Sequence, residues 1–301
     1  MGHARELAGQ VVVVTGAARG IGARLAQSLA ARGAQVALLG LEPDELARVS
    51  ASCGARSRWW EADVTDDRAL AGAAAAIRDA YGRVDVVVAN AGIAIAGPFR
   101  HADPRTFARV IEVNLLGSVA TARAFLPSLI DSQGYLLQVA SLAALAPAPM
   151  MAAYCASKSG VEAFADAVRA EVAHHGVRVG VAYLSWTDTD MVRGADENPA
   201  LREMRAGLPL LAGRTSPVAP AVEALTRGIA RRAPRVYGQR WLPPMQLVRG
   251  MVPPLVARLA GRTMPAVESR WLATGADAGP VGAGGAADTS ARAATAGEAR
   301  S

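Results

Sequence analysis

Lys158 is the only lysine among the 32 lysines and arginines of this 301-residue chain. In a composition so biased toward arginine, a surviving lysine marks a place where a compact ammonium is needed and a planar guanidinium will not serve. Taken alone, chance retention is the plain alternative. Its neighbours in Tyr154-Cys155-Ala156-Ser157-Lys158 change the balance. Tyr154 lies four residues earlier, and on a helix that spacing puts both side chains on one face, about 5–6 Å apart. A cation held there favours the phenolate and is expected to draw the tyrosine pKa down from about 10. A tyrosine tuned in this way exchanges a proton with a substrate oxygen.

A second constellation sits at the other end of the chain. Val11-Val12-Val13-Val14-Thr15 is a short β-branched run, as expected of a strand buried on both faces. It leads into Gly16-Ala17-Ala18-Arg19-Gly20-Ile21-Gly22 and then a helical stretch, Ala23 to Arg32. Strand, glycine turn and helix is the layout that sets a pyrophosphate on helix N-terminal amides. The spacing G-x-x-x-G-x-G differs from the common G-x-G-x-x-G, so by itself a purely structural turn accounts for it equally well.

Together with Asn90-Ala91-Gly92, Asn114 and Ser141, the two motifs resemble the short-chain dehydrogenase/reductase family. Thr15-Gly16-x-x-x-Gly20-x-Gly22, Asn90-Ala91-Gly92, a serine thirteen residues before the tyrosine, and Tyr154-x-x-x-Lys158 occur in the family's order. The resemblance spans residues 7 to 191 motif by motif and continues more loosely to about 240. It implies that Tyr154 is general acid or base, that Ser141 holds the substrate oxygen, and that Lys158 tunes Tyr154 and reaches the nicotinamide ribose. Asn114 is expected to hold a water that relays protons from Lys158. Gly16, Arg19, Gly20, Ile21 and Gly22 are expected to bind the cofactor phosphates and adenine ribose. Asp63 and Val64 are expected at the adenine, Asn90 and Gly92 alongside the cofactor, and Thr189 at the carboxamide. The plain readings remain a strand cap for Ser141, a helix-bending residue for Asn114 and a sheet-stabilising role for Asn90. One departure concerns the nicotinamide end: Leu184-Ser185 stands where the family has Pro-Gly.

The elements that must position these residues alternate regularly. Strands are expected at 11–15, 35–39, 57–61, 84–89, 135–139, 177–183 and 235–237. Helices are expected at 23–32, 44–52, 67–81, 104–129 and 153–174. Such alternation predicts a Rossmann-like doubly wound parallel sheet, class α/β, in a single domain over 7–240. Ligands then sit at the carboxyl ends of the strands, where Gly16, Asp63, Asn90, Ser141 and Leu184 all fall.

An acid at the end of the second strand would select NAD, but Gly40 occupies that place, and Arg19 is suited to a 2′-phosphate. NADP is therefore favoured over NAD, although Leu41 and Glu42 argue the other way. A small apolar alcohol or carbonyl substrate is expected, with Ala94, Ile95, Ala146, Pro147, Met150, Met151 and Trp186 as its surroundings. Residues 190–213 read as a short mobile helical lid. Residues 241–274 form an apolar, basic C-terminal extension whose apolar face meets the substrate pocket, another subunit, or the surface of a membrane. The tail 275–301 is rich in Gly and Ala and is expected to be disordered.

Composition bounds the rest. Half the residues are apolar (51%), the net charge is +6 and the pI about 10. The arginines are dispersed, without a dense tract, so nucleic acid is not an expected partner. Cys53 and Cys155 form no disulfide framework, and His3, His101, His174 and His175 form no metal set, so no metal is expected. With no secretory leader legible at the N-terminus and no clear membrane-spanning run, a cytoplasmic oxidoreductase is expected, peripheral at a membrane if the extension binds one, and assembled as a homo-oligomer. An epimerase or dehydratase on the same scaffold, and a cofactor-sensing protein without turnover, are the rivals.

Overall fold

Val11 to Val14 have no exposed surface at all, and that fact organises the sheet. A strand apolar on both faces can only be central and parallel, with helices covering each side. The computed structural model describes residues 7–208, 212–274 and 281–298. The chain runs β1 (Val11–Thr15), α1 (Gly20–Ala31), β2 (Gln35–Gly40), α2 (Pro43–Cys53), β3 (Arg58–Glu61), α3 (Asp67–Tyr81) and β4 (Val86–Ala89). It continues through α4 (Pro104–Ile111), a π turn (Glu112–Leu116), α5 (Gly117–Ser132), β5 (Tyr135–Val139), α6 (Ala152–Val172) and β6 (Arg178–Tyr183). Then follow α7 (Asp190–Glu197), α8 (Pro199–Ala206), α9 (Val218–Ala230), β7 (Arg235–Tyr237), α10 (Leu242–Val248), α11 (Val252–Ala273) and α12 (Gly282–Glu298).

The strands form one parallel sheet in the order β3-β2-β1-β4-β5-β6-β7. Val13 registers against Ala37 on one side and Val87 on the other. Strand order reverses between β1 and β4, which opens a crevice at their carboxyl ends. On one face Leu25 and Leu29 of α1, Leu46 of α2 and Leu225 and Ile229 of α9 pack with the sheet. On the other, Ile77 of α3, Phe125 and Leu129 of α5 and Val161 of α6 do the same. Each such side chain contributes roughly 1.5–3 kcal/mol by leaving water. Stability thus resides in these two layers, away from the crevice.

Three expectations change. The helix expected over 104–129 is interrupted by the π turn, where Asn114 bonds inward. Residues 190–213 carry two helices, α7 and α8, while 209–211 lie outside the described residues. In the tail expected to be disordered, residues 282–298 form α12. Its glycines and alanines bring little bulk, but it packs along α7 and buries Asp288 against Arg109. Tertiary contact outweighs weak propensity there. Residues 275–280 and 299–301 lie outside the described residues.

The helical run 104–132 is long and apolar enough to cross a membrane by length and composition, yet 56% of its most apolar window is buried within the protein. The extension docks through a charge. Arg249, between α10 and α11, donates to both carboxylate oxygens of Glu162 on α6 (2.7 and 2.9 Å) and to Ala144 O (3.2 Å). Glu162 also accepts from Tyr183 Oη (2.6 Å).

Candidate active site

The glycine turn is built to let backbones touch. Gly16 has φ +62°, and a Cβ there would stand 2.8 Å from Ala91 Cα at the end of β4. Any side chain would push the turn off the strand. Asn90 Nδ2 ties the two together, donating to Thr15 O (2.9 Å) and Gly16 O (3.2 Å), and a Cβ on Gly22 would come within 2.7 Å of that nitrogen. Asn90 therefore braces the sheet and the turn. Gly20 (φ +53°) faces the Thr189 methyl, with 3.6 Å to an added Cβ. No side chain caps α1 at Arg19. Gly20, Ile21 and Gly22 of its first turn line the crevice, and the free amides of a helix start suit an anion.

At the far end of the crevice, Arg19 donates to Glu42 (Nε, 2.6 Å) and Glu45 (Nη2, 3.2 Å). The bond to Glu42 pushes the guanidinium pKa up. Asp63 Oδ1 accepts from the amide and hydroxyl of Thr65, both at 2.8 Å, and Oδ2 accepts from Arg109 (3.2 Å). Val64 is buried beside it and fills the space against Gly117.

The remaining residues converge at the ends of β5 and β6. Lys158 is 4% exposed, and its Nζ donates to Val139 O at 2.9 Å. It lies 5.9 Å from the centre of the Tyr154 ring. Burial pulls the lysine from its ordinary 10.5 down to about 8. The expected lowering of Tyr154 is not what the structure shows. Burial raises the tyrosine pKa and the Ser141 hydroxyl offsets only part of that, because crowding around the phenol outweighs a cation that is itself stripped of water. Ser141 donates to Leu184 O (3.3 Å) and accepts from Ala143 N (3.2 Å). Asn114 has no exposed surface: Oδ1 accepts from Ile93 N (2.8 Å), while Nδ2 donates to Ile93 O (2.9 Å) and Ser157 Oγ (3.0 Å). It clamps the loop that follows β4 to the helix bearing Tyr154 and Lys158. A π turn at such a clamp matches the habit of π bulges to occur at functional sites. Gly92 leaves room for both, since a Cβ would sit 3.1 Å from Asn114 Oδ1 and 3.4 Å from Lys158 Nζ.

The Leu184-Ser185 departure is absorbed without strain. Ser185 is not among the residues with positive φ, so a non-glycine fits its path. Its amide donates to Gln239 Oε1 (2.9 Å), and Gln239 also reaches Thr187 Oγ1 (3.3 Å). Thr189 Oγ1 is turned to Thr187 O (3.2 Å), at the start of α7.

Gly16, Arg19, Gly20, Ile21, Gly22, Asp63, Val64, Asn90, Gly92, Ser141, Tyr154, Lys158 and Thr189 border one cleft of about 370 Å³, whereas Asn114, with no exposed surface, stands behind its wall. Ala94, Ala146, Pro147, Met151 and Trp186 line it as expected; Ile95 and Met150 instead pack in neighbouring clusters. Residues that motif reading did not reach also border it: Met245, Val252 and Val256 of the extension, Arg205 stacked over Trp186 at 5.2 Å, and Gly284, Ala287 and Asp288 of α12. They lie beyond the motif-bearing region, and only tertiary folding brings them to the cleft. Among the described residues no cluster of three or more His, Cys, Asp or Glu could hold a metal.

A family model for short-chain dehydrogenases matches residues 10–200. The chain belongs to the short-chain dehydrogenase/reductase family. It is 35% identical over 191 residues to dehydrogenase/reductase SDR family member 7B of Bos taurus, a match spanning 60% of this chain and 59% of that protein. It is 31% identical over 242 residues to 2,3-dihydro-2,3-dihydroxybenzoate dehydrogenase of Bacillus subtilis strain 168, covering 76% of this chain and 93% of that one. A metagenomic short-chain oxidoreductase solved with NADP matches at 36% identity and a TM-score of 0.57, over 59% of this chain and 83% of that one.

The buried ammonium generates a test. Its pKa in the folded chain lies below the unfolded value, so the folded state holds that proton less tightly, and stability rises with pH between about 8 and 10.5. Below pH 8 the buried charge costs stability. Lys158→Met should therefore raise the stability of cofactor-free protein at pH 7 by on the order of 1–3 kcal/mol, with the gain narrowing as pH climbs past 8. Thermal unfolding from pH 6.5 to 10 reads this directly; an unchanged or lower Tm at pH 7 would refute it.

Proposed function

We propose that this chain is an NADP(H)-dependent oxidoreductase that interconverts an alcohol, secondary or primary, with its ketone or aldehyde on a small apolar substrate. The observation that carries the reading is the meeting of Ser141, Tyr154 and Lys158 at one apolar mouth of a cleft whose other end is a backbone-only glycine cradle.

The cradle tests well as a dinucleotide site. Gly16 and Gly22 tolerate no Cβ, and among the described residues the first turn of α1 has no side-chain cap and the buried Lys158 cation has one acceptor, Val139 O. Gly16, Arg19, Gly20, Ile21 and Gly22 would hold the phosphates and adenine ribose, with Asp63 and Val64 at the adenine. Gly92, Thr189 and Lys158 would hold the nicotinamide riboside, and Asn90 would support it through the turn. When bound, the cofactor donates or accepts the hydride.

The chain's own residues handle the proton and the oxygen. Tyr154 Oη gives a proton to the carbonyl oxygen in reduction and takes it from the hydroxyl in oxidation. Ser141 Oγ donates to the same oxygen as charge develops on it. Lys158 places a positive charge beside the phenol, and ordering of water-poor space around it strengthens that effect. Asn114 contributes by position, since both atoms of its amide have protein partners; a proton relay to solvent would pass close to it rather than through a free amide. The presence of all three groups at one mouth favours redox chemistry over epimerisation, dehydration or cofactor sensing.

NADP is favoured because β2 ends on Gly40 rather than an acid and Arg19 stands at the same rim. The NADP bound to the metagenomic relative supports this choice. Glu42 and Glu45 hold the guanidinium in place and would share it with a 2′-phosphate. The extension covers the substrate end, with Met245, Val252 and Val256 facing the cleft. Its outer face exposes Leu247 (88%), Met251 (73%), Leu255 and Leu259 at helical spacing, beside Arg258 and Arg262. That face suits peripheral contact with anionic lipid. Two free cysteines, Cys53 and Cys155, suit a reducing, cytoplasmic setting. Self-association would use α4–α5 and α6.

Four substitutions test this reading. Lys158→Arg keeps the charge but not the shape, and kcat with an apolar ketone should fall by roughly 10²–10⁴-fold; near-native turnover would overturn the assignment. Arg19→Ala should weaken NADPH about ten- to a hundred-fold and NADH little, read by fluorescence titration; equal effects would make Arg19 a plain surface cation. Val256→Asp should raise KM for apolar ketones without altering NADPH affinity. Leu255→Asp should leave KM unchanged and reduce salt-sensitive flotation with anionic vesicles. If neither substitution moves its own readout, the extension has neither role.

A further inference from the structure

The last helix crosses the proposed cofactor cleft. Its first turn meets α7 backbone to backbone: a Cβ on Gly194 would stand 2.6 Å from Gly282 N, and one on Gly282 would stand 2.7 Å from Asp190 O and Met191 Cα. Gly282 has φ +76°, a conformation that glycine adopts without strain. Just before it, Val281 N donates to Ala94 O at 2.9 Å, on the substrate side. Six residues on, about 9 Å along a helix, α12 reaches the adenine side. There Asp288 accepts from Arg109 Nη2 (2.6 Å) and Nε (3.1 Å), with side-chain exposures of 6% and 8%. Arg109 also holds Asp63 (3.2 Å), Thr65 (3.0 Å) and Glu112 (3.3 Å). Burial opposes its charge, but the surrounding carboxylates prevail and push its pKa up.

The surface that α12 turns to the cleft is nearly bare. Gly284, Ala287 and Asp288 line the same cavity as Gly16, Leu41, Asp63 and Lys158. Of these three, only Asp288 has more than a methyl group, and it is occupied by Arg109. A helix meant to fill a cavity would send large side chains into it. This one bridges the rims and leaves the space beneath open.

We infer that α12 is a clasp over the cofactor site: it forms an outer wall of the dinucleotide cleft, is hinged on the Gly194–Gly282 contact, and is latched by the Asp288–Arg109 ion pair. This rests on the reading of the cleft as a dinucleotide site. The clasp opens for the cofactor to enter and leave, and its closure sets residence time. Asp288 is thus a positioning residue; it need not touch the cofactor.

The test uses the full chain. NADPH and NADH binding is followed by stopped-flow fluorescence in the wild type, Asp288→Asn and Gly282→Leu. The first variant removes the latch charge at constant shape, and the second lifts the hinge without touching the latch. Both should speed dissociation by about ten-fold or more, and speed association too, because loosening a closed cover acts on both directions of exchange. The ratio should be similar for NADPH and NADH, unlike the effect of Arg19→Ala. In the wild type, saturating cofactor should slow amide hydrogen exchange over 282–298. Faster association with unchanged dissociation, and faster exchange on cofactor binding, would make α12 a plug that the cofactor displaces and would overturn the clasp. Unchanged rates in both variants would overturn it as well, leaving the oxidoreductase reading intact. If the wild type binds neither cofactor, the oxidoreductase reading fails and the clasp falls with it.

Discussion

One buried ammonium sets the terms for the carboxyl edge of this sheet. Lys158 is held where water does not reach, with Val139 O as its hydrogen-bond acceptor. An ammonium has three donors, so the protein leaves part of its capacity for something else. The surroundings exist to keep it there. Asn114 pins the loop after β4 to α6, Gly92 clears space for Nζ, and the end of β5 presents the carbonyl. Because the two apolar layers on either face of the sheet supply the stability, the edge can hold an arrangement that is unfavourable until a ligand completes it.

Much of this was legible in the residues. Buried parallel strands announce themselves as continuous β-branched runs, and Val11–Val14 and Val86–Val88 sit where that pattern puts them. The glycine turn was readable because a backbone that must approach another backbone can use little else. Tyr154 and Lys158 share a helix face at their spacing of four. His174-His175 before Gly176 ends its helix in the left-handed conformation at Gly176, as a cap should. What the residues did not disclose are the partners brought from far along the chain. Arg109 is an ordinary helix arginine until Asp63 and Asp288 meet it. Gln239 carries no motif, yet it braces Ser185 and Thr187. α12 has a composition that would be disordered in isolation, and only its contacts with α7 and Arg109 make it a helix.

Electrostatic expectations failed for an instructive reason. Proximity of Lys158 to Tyr154 argues for a lowered tyrosine pKa, and the distance is indeed short. But the same enclosure that brings the two together removes water from both. Desolvation disfavours the ammonium and the phenolate alike, so the lysine moves down and the tyrosine moves up. Arg19 shows the converse. Standing at the rim, it stays charged and pairs with Glu42 and Glu45, so any phosphate it recognises must enter a triad that already exists.

The division of labour along the chain follows from these placements. The family match ends at residue 200, and the region it covers supplies six of the seven strands, the glycine turn, and Ser141, Tyr154 and Lys158. The cleft's remaining walls come from later residues: Arg205 over Trp186, Met245, Val252 and Val256 from the extension, and Gly284 to Asp288 from α12. A floor selects a reaction, because hydride and proton transfer need the same atoms in the same places whatever the substrate. A cover selects what enters and how long it stays. The apolar end of the cleft draws on both regions, Ala94, Ala146, Pro147, Met151 and Trp186 before residue 200 and Met245, Val252 and Val256 after it, so its shape depends on how the later residues fold back over the earlier ones.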